Sequence, residues 1–538
     1  MKQTVRPHCS PFCVVLCLFV ATPASALAAP PTLTHLYPGG AQRGTTVDLT
    51  AGGAFEQWPV KVAVSGAGVT VSPAKDKGKL SVAVAKDAVP GVYWLRAHND
   101  EGASGLRPFV VGTLPDVAEK EPNDDARKPQ VIVGNVVVNG RLEKAGDVDC
   151  FGVALKKGQA LVASLDAHSG LRSPADPILQ VVSADGFVLD ENHDFRGLDP
   201  QLAFTAPTDG TYVVRVFGFP SAPDSSIRFF GSEACVYRLT LTTGAFADHA
   251  APLAVAKPED AATVALDGWN VPKALRLEAA ADARHATLFA PELANAVRVR
   301  VEKHPTFASV PADPKPPFSL TGRIAAGGAE VLVPFACKKG QPLTVQVESR
   351  AFGLAVNPVV RVLDQEKKQV ARAEPAKLNG DTSLTFTPTA DGPHTVAVSD
   401  LYSGGGARFV FLLRVAPPEP DYELTVAADR FTLEPGKPLS VPVKVARKGG
   451  FAKPVEVVAE GLPAGVKAEV TQPAKPDPNT VTLSLTTDVP VVAPFRLVGK
   501  VKDDPALTRT AAAPLADLDH ATPDLWVTAG AAPPPKKK

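Results

Sequence analysis

The sequence predicts an all-β protein built from tandem β-sandwiches, and three observations carry that prediction. Segments such as "LTVQVES" (343–349) and "SLTFTP" (383–388) alternate apolar and polar residues, the pattern of a half-buried strand. Turn-forming clusters ("PGG", "AGG", "KKGQ", "ADG", "TDG", "SGGG") recur at roughly ten-residue intervals, the spacing of short sandwich strands. An internal repeat appears at an offset of 182 residues, where "NGRLEKAGDVDCFGVALKKGQALV" (139–162) aligns with "TGRIAAGGAEVLVPFACKKGQPLT" (321–344). Further on, "LAFTAPTDGTYVVRV" (202–216) aligns with "LTFTPTADGPHTVAV" (384–398). At 538 residues the chain exceeds a single core, and its 45% hydrophobic content suffices for several.

From the amino terminus, Lys2 and Arg6 precede the apolar run "FCVVLCLFVA" (12–21), and "ASA" (24–26) or "ALA" (26–28) offers small residues for cleavage. Residues 1–28 therefore read as a signal peptide. The run is short for a membrane span, and Leu16 before Cys17 does not fit a lipid-anchor site. With no second stretch of spanning length, the expectation is an exported chain, extracellular, cell-surface or periplasmic, without membrane insertion. Cys9, Cys13 and Cys17 leave with the signal. Cys150, Cys235 and Cys337 remain, enough for one disulfide and one thiol in an oxidising compartment. Lysine and arginine balance aspartate and glutamate at 56 each, which favours neither nucleic acid nor an anionic membrane as partner.

The modules follow in order. A small sandwich occupies 29–114, a larger one 115–246, a poorly defined small module 247–314, the second copy of the large sandwich 315–420, and a final module 421–530. Residues 531–538, ending in "PPPKKK", read as a flexible basic tail. The alanine-rich stretch 276–295 is the one place where a helix is expected.

Residues that carry chemistry are sparse. The ten histidines are scattered with no two within five residues, so no HExxH zinc helix occurs. A GxSxG elbow and a glycine-rich phosphate loop are absent as well. His193 and Asp194 sit in "DENHDFRGLD", a polar surface turn. Trp94, Trp269 and Trp526 admit a sugar-stacking role, but their neighbours alternate like packed core strands, with Trp58 in the loop "EQWPV" the exception. One segment stands out: "EKEPNDD" (119–125) puts four carboxylates and a carboxamide into seven positions. It reads either as a solvated acidic linker or as a calcium site, because calcium takes several oxygen ligands and an extended chain presents them at alternate positions.

"EPNDD", "NGRL", "GDVDCF", "KKGQ" and "FTAPTDGTYVVRV" together resemble the bacterial pre-peptidase C-terminal (PPC) domain, a jelly-roll-like sandwich; the copy at 315–418 is similar but degenerate. Through "LYPGGAQRGTTVDLTAGG" and "PGVYWLRAHNDEG" the first module resembles an IPT/TIG immunoglobulin-like domain. The last, with "GGFAKPVEVVAEGLPAGV", resembles a bacterial Ig-like domain. Such arrays resemble exported proteins of planctomycete type. Collagen-binding members of the PPC group bind calcium through this linker and the first acidic strand. The resemblance thus implies ligands at Glu119, Glu121, Asn123 and Asp124 on the linker and at Asp147 and Asp149 on the strand. In the second copy Asp147 becomes Ala329 and Asp149 becomes Val331, so calcium is expected at the first copy alone. Cys150 and Cys235, near the starts of an early and the last strand of the first copy, are expected to pair, leaving Cys337 a buried thiol. The function implied is a non-catalytic binding or structural array for surface attachment, substrate targeting or support of a secreted peptidase, its partner an extracellular protein or polysaccharide. The alternative is a diverged secreted hydrolase with an unrecognised catalytic module.

Overall fold

The computed structural model describes residues 29–222, 228–471, 477–502, 504–515, 518 and 520–530. The expected signal peptide and basic tail lie outside the described residues. Strands dominate, and they assemble into tandem β-sandwiches. In the first sandwich two sheets face each other across Leu36, Leu49, Val82, Leu95 and Phe109. Strand Gly91–Asn99 shows the two-residue period: Tyr93, Leu95 and Ala97 enter the core, which leaves Trp94, Arg96 and His98 on the opposite face.

The second sandwich packs two five-stranded sheets around Val138, Phe151, Leu165, Leu179, Val214 and Leu239. The fourth repeats its plan. Val236–Thr242 lies between Val136–Arg141 and Ala160–Asp166 in the second sandwich, as Val410–Ala416 lies between Phe318–Arg323 and Leu343–Glu348 in the fourth. Registers coincide too, with Gly140 opposite Tyr237 and Gly322 opposite Phe411. Duplication accounts for both the order and the register. The copies differ at one edge, where Gln130–Ile132 pairs in parallel with Asp149–Leu155, while in the fourth sandwich the matching sheet starts at Val331–Cys337.

The third module corrects the helical expectation for 276–295. Glu278–Ala281 and His285–Phe289 form a hairpin there, closed by the Asp282 carboxylate, which accepts the N–H groups of Arg284 and His285 at 2.7 and 2.8 Å. Ala286 and Leu288 alternate into the core at 0% exposure, so burial at period two overrides alanine's helical preference. The last sandwich closes around Tyr422, Leu424, Val443, Leu485, Leu497 and Val527. Neighbouring modules share small apolar clusters, among them Leu114, Val137, Val162 and Phe246, so they pack on one another.

The expected disulfide is absent: Cys150, Cys235 and Cys337 are buried free thiols. Cys150 lies on the outer side of its strand with Val182 and Val213, whereas Cys235 belongs to the core between the sheets. The two sulfurs thus sit on opposite sides of a sheet. Cys337 is buried in the fourth core, paired opposite Gly392 as Leu155 is opposite Gly210.

Candidate metal centre

The acidic linker leaves the strand Asp116–Ala118, whose parallel partner is Val136–Arg141. The Glu119 N–H donates to the Asn139 carbonyl at 3.0 Å, and Glu119 Oε2 accepts the Arg141 N–H at 2.8 Å. Four residues on, the Asn123 carbonyl accepts the Cys150 N–H at 3.1 Å, pinning the linker across the start of Asp149–Leu155. At that start Asp149 shares the inward face of Phe151 and Val153, so the strand's own alternation aims a carboxylate at the end of the apolar core.

The linker and the strand converge. Oxygens of Glu119, Glu121 and Asp149 lie within 4.8 Å of one another. Asn123 joins them, its Nδ2 donating to Glu119 at 3.3 Å and its N–H to Glu121 at 3.1 Å. Asp147 is fully buried, with Oδ2 accepting the Glu143 N–H. Asp124 is exposed; its carbonyl accepts the Cys150 thiol at 3.6 Å. The sequence reading missed Tyr237. Its hydroxyl lies 2.7 Å from Asp149 Oδ2 and 3.2 Å from Glu119 Oε1, beneath the carboxylate pair. One phenolic hydrogen cannot serve both carboxylates.

Three further oxygens have no partner at all. Asn123 Oδ1, Asp147 Oδ1 and Asp149 Oδ1 are buried and accept no hydrogen bond, in residues exposed by 1%, 0% and 0%. An unsatisfied buried acceptor costs about 1–3 kcal/mol, more when charged. Arg141 directs its guanidinium to Glu143 and leaves the cluster without that charge. Burial is the leading cause that raises the carboxyls of Glu119, Glu121, Asp147 and Asp149 above their ordinary range; at Asp149 the neighbouring Glu119 charge adds to it. The same burial, then the two carboxylates, holds the Tyr237 phenol protonated. An oxygen-only set of carboxylates and a carboxamide is the donor chemistry of a hard cation, so the residues fit a metal ion.

The duplication provides a comparison within the chain. Carrying the paired registers forward, Glu119 corresponds to Ser309, Glu121 to Pro311, Asp149 to Val331 and Tyr237 to Phe411. Every group at the centre of the cluster is replaced, the phenolic hydroxyl included.

A different polar cluster has the composition of a hydrolase triad without its geometry. His304 Nε2 lies 2.9 Å from Ser319 Oγ and 3.5 Å from Glu302 Oε2, so serine and acid meet the same nitrogen and no relay across the ring exists. His193 is exposed and contacts Glu191 at 2.8 Å. Trp58 is held in place by its Nε1, which donates to the Ala74 carbonyl at 2.9 Å.

Residues 147–218 match the family profile of the bacterial pre-peptidase C-terminal domain. The match to the PPC domain begins at Asp147, inside the acidic cluster. No curated protein sequence matches the chain. Among solved structures, one of the surface-layer protein SbsC (domains 1–6) aligns at 9% identity and a TM-score of 0.16, over 94% of this chain and 55% of that one. The chain thus spans about half of that structure's length. A structure of Clostridium perfringens ZmpB that includes its catalytic domain aligns at 8% identity and 0.14, over 70% and 54%. Invasin, a bacterial integrin-binding protein, aligns at 12% identity and 0.13, over 68% and 60%. No helix among the described residues is long and apolar enough to cross a membrane.

Proposed function

We propose that the chain is an exported, non-catalytic array of β-sandwiches that binds an extracellular protein or polysaccharide and that holds calcium at its PPC domain. The observation that carries the calcium reading is the set of three buried, unpartnered oxygens, Asn123 Oδ1, Asp147 Oδ1 and Asp149 Oδ1, beside the Glu119–Glu121–Asp149 cluster. A divalent ion would satisfy those acceptors and neutralise carboxylates that otherwise repel. Calcium suits the set better than magnesium because it accepts more oxygens in less regular geometry.

The ion would also act on the joint between the first two sandwiches. Arg141, whose N–H holds Glu119, stacks its guanidinium 4.8 Å from the Tyr37 ring, and the Tyr37 hydroxyl donates to the Asn139 carbonyl at 3.4 Å. Tying the linker to the PPC domain therefore fixes the surface on which the first sandwich rests. The first module's turn pattern supports an IPT/TIG-like domain, and the leader supports export. The modular order supports an origin among planctomycete-type proteins that attach to surfaces or accompany secreted peptidases.

Calorimetric titration of the full chain with calcium chloride, beside an Asp147→Ala, Asp149→Ala variant, tests the metal reading. Heat and thermal stabilisation in the parent and none in the variant are expected; no response in the parent removes calcium from the proposal. A glycan and matrix-protein array tests binding, and hydrolysis of any member of a peptidase and glycosidase panel would favour the enzyme alternative.

A further inference from the structure

Trp94, Arg96 and His98 occupy the outward positions of Gly91–Asn99, away from their own core. Arg96 is nonetheless only 1% exposed. Its cover comes from the other end of the chain. Arg96 Nη2 meets Asp429 Oδ2 of the last sandwich at 2.6 Å, with side-chain exposures of 1% and 8%, while Nη1 donates to the Ser104 carbonyl at 2.9 Å. The Arg96 guanidinium lies 5.8 Å from the centre of the Trp526 ring. His98 packs on Trp526 at 4.7 Å, and Trp94 stacks on His520 at 4.3 Å with planes 19° apart. Trp526 is likewise an outward residue, since Leu525, Val527 and Ala529 of its strand fill the last core. Arg430 adds a bond to the Ala103 carbonyl at 3.3 Å.

We propose that these two outward faces form a reversible latch that docks the first sandwich on the last, and that acid releases it. The contact is polar at its centre and aromatic around it, the composition of an interface that opens, in contrast with the apolar cores on either side. Its ion pair gains Coulomb energy but loses hydration, so the pair fixes which faces meet more than it holds them together.

Two of its four aromatic rings are imidazoles, and each has a nearby cation that opposes its protonation. Lys61 and Asp100 act on His98, Arg172 of the second sandwich acts on His520, and Asp429, Asp524 and Arg430 surround Arg96. Arg496 is paired with Asp524 at 2.8 Å. Burial, then the nearby cations, lowers both histidines below the ordinary value of 6.5 in the docked form. A docked form whose imidazoles titrate lower binds fewer protons than the open form. Its stability is complete above about pH 6.5 and is lost as pH falls toward the lowered values.

The test is small-angle scattering of the full chain at about pH 7.5 and about pH 5, either side of the free imidazole value. Release should lengthen the maximum dimension on the order of 30 Å, about the diameter of one 100-residue module. Arg96→Glu should be extended at both values, and adding Asp429→Arg should restore the compact form at the higher one. A His98→Phe, His520→Phe variant retains ring stacking without titration and should stay compact in acid. It also tests the idea should the Arg96 variant misfold. A parent with the same profile at both pH values, a compact Arg96→Glu, or acid expansion that persists in the phenylalanine variant would overturn the proposal.

Discussion

Tyr237→Phe is the substitution that asks most of the metal-site reading. The change deletes one oxygen and leaves the ring in place. Gly140 faces Tyr237 so closely that an added β-carbon would lie 2.2 Å from the ring, and Gly322 faces Phe411 in the same way, at 2.3 Å. The fourth sandwich therefore already shows that a phenyl ring fits this pocket. What disappears is the hydroxyl that lies 2.7 Å from Asp149 Oδ2 and 3.2 Å from Glu119 Oε1. A hydrogen bond to a charged group contributes about 1.5–3 kcal/mol. If that bond orients the carboxylates for the ion, its loss weakens calcium binding about 10- to 150-fold. Calorimetric titration gives the affinity, and circular dichroism checks the fold. An affinity within about twofold of the parent, less than about 0.5 kcal/mol, would refute the positioning role of the hydroxyl and leave the ligand set itself standing.

Three further outcomes follow from the same structure. In chelator, the second sandwich should lose thermal stability as pH rises above the ordinary carboxylate range, because Glu119 and Asp149 titrate higher when folded and the folded state then holds more protons than the unfolded one. Saturating calcium should abolish that slope, as followed by calorimetric melts between about pH 5 and 8. Cys150, Cys235 and Cys337 should react only after unfolding, since burial raises all three thiols, Cys150 up to about 12 and Cys337 up to about 11; peptide mapping that finds a Cys150–Cys235 bridge would contradict the free thiols. Exported material should begin near Ala29, and an intact Met1 in that fraction, found by mass spectrometry, would contradict the leader.

The strands were legible because their information is local. Alternation in "LTVQVES" and the glycine turns depend on residues a few positions apart, and Leu343–Glu348 lies where that pattern puts it. The stretch 276–295 was misread for a related reason. Its alanines favour a helix when counted, but the Asp282 turn and the buried pair Ala286 and Leu288 act at period two. The cysteine pairing failed because strand proximity does not specify which face a side chain takes, and here the two sulfurs take opposite faces.

The acidic cluster shows where sequence reading gains and loses power. Glu119, Glu121 and Asn123 announce themselves by concentration, whereas Asp147 and Asp149 come from the family resemblance, which puts both on the strand; the strand begins at Asp149 and Asp147 lies in the turn before it. Tyr237 announces nothing: in "CVYRLTL" it is one more apolar residue of a core strand, and its hydroxyl acquires a role only when Val236–Thr242 is laid against Val136–Arg141. The aligned loss of that hydroxyl at Phe411, together with Asp149 at Val331, then turns a single contact into a set. A carboxylate replaced alone would be ordinary divergence. When buried acids and the phenol bonded to them are all replaced between copies that share one strand order, the groups are better explained by one common object, and a cation is the object that their unpartnered oxygens fit.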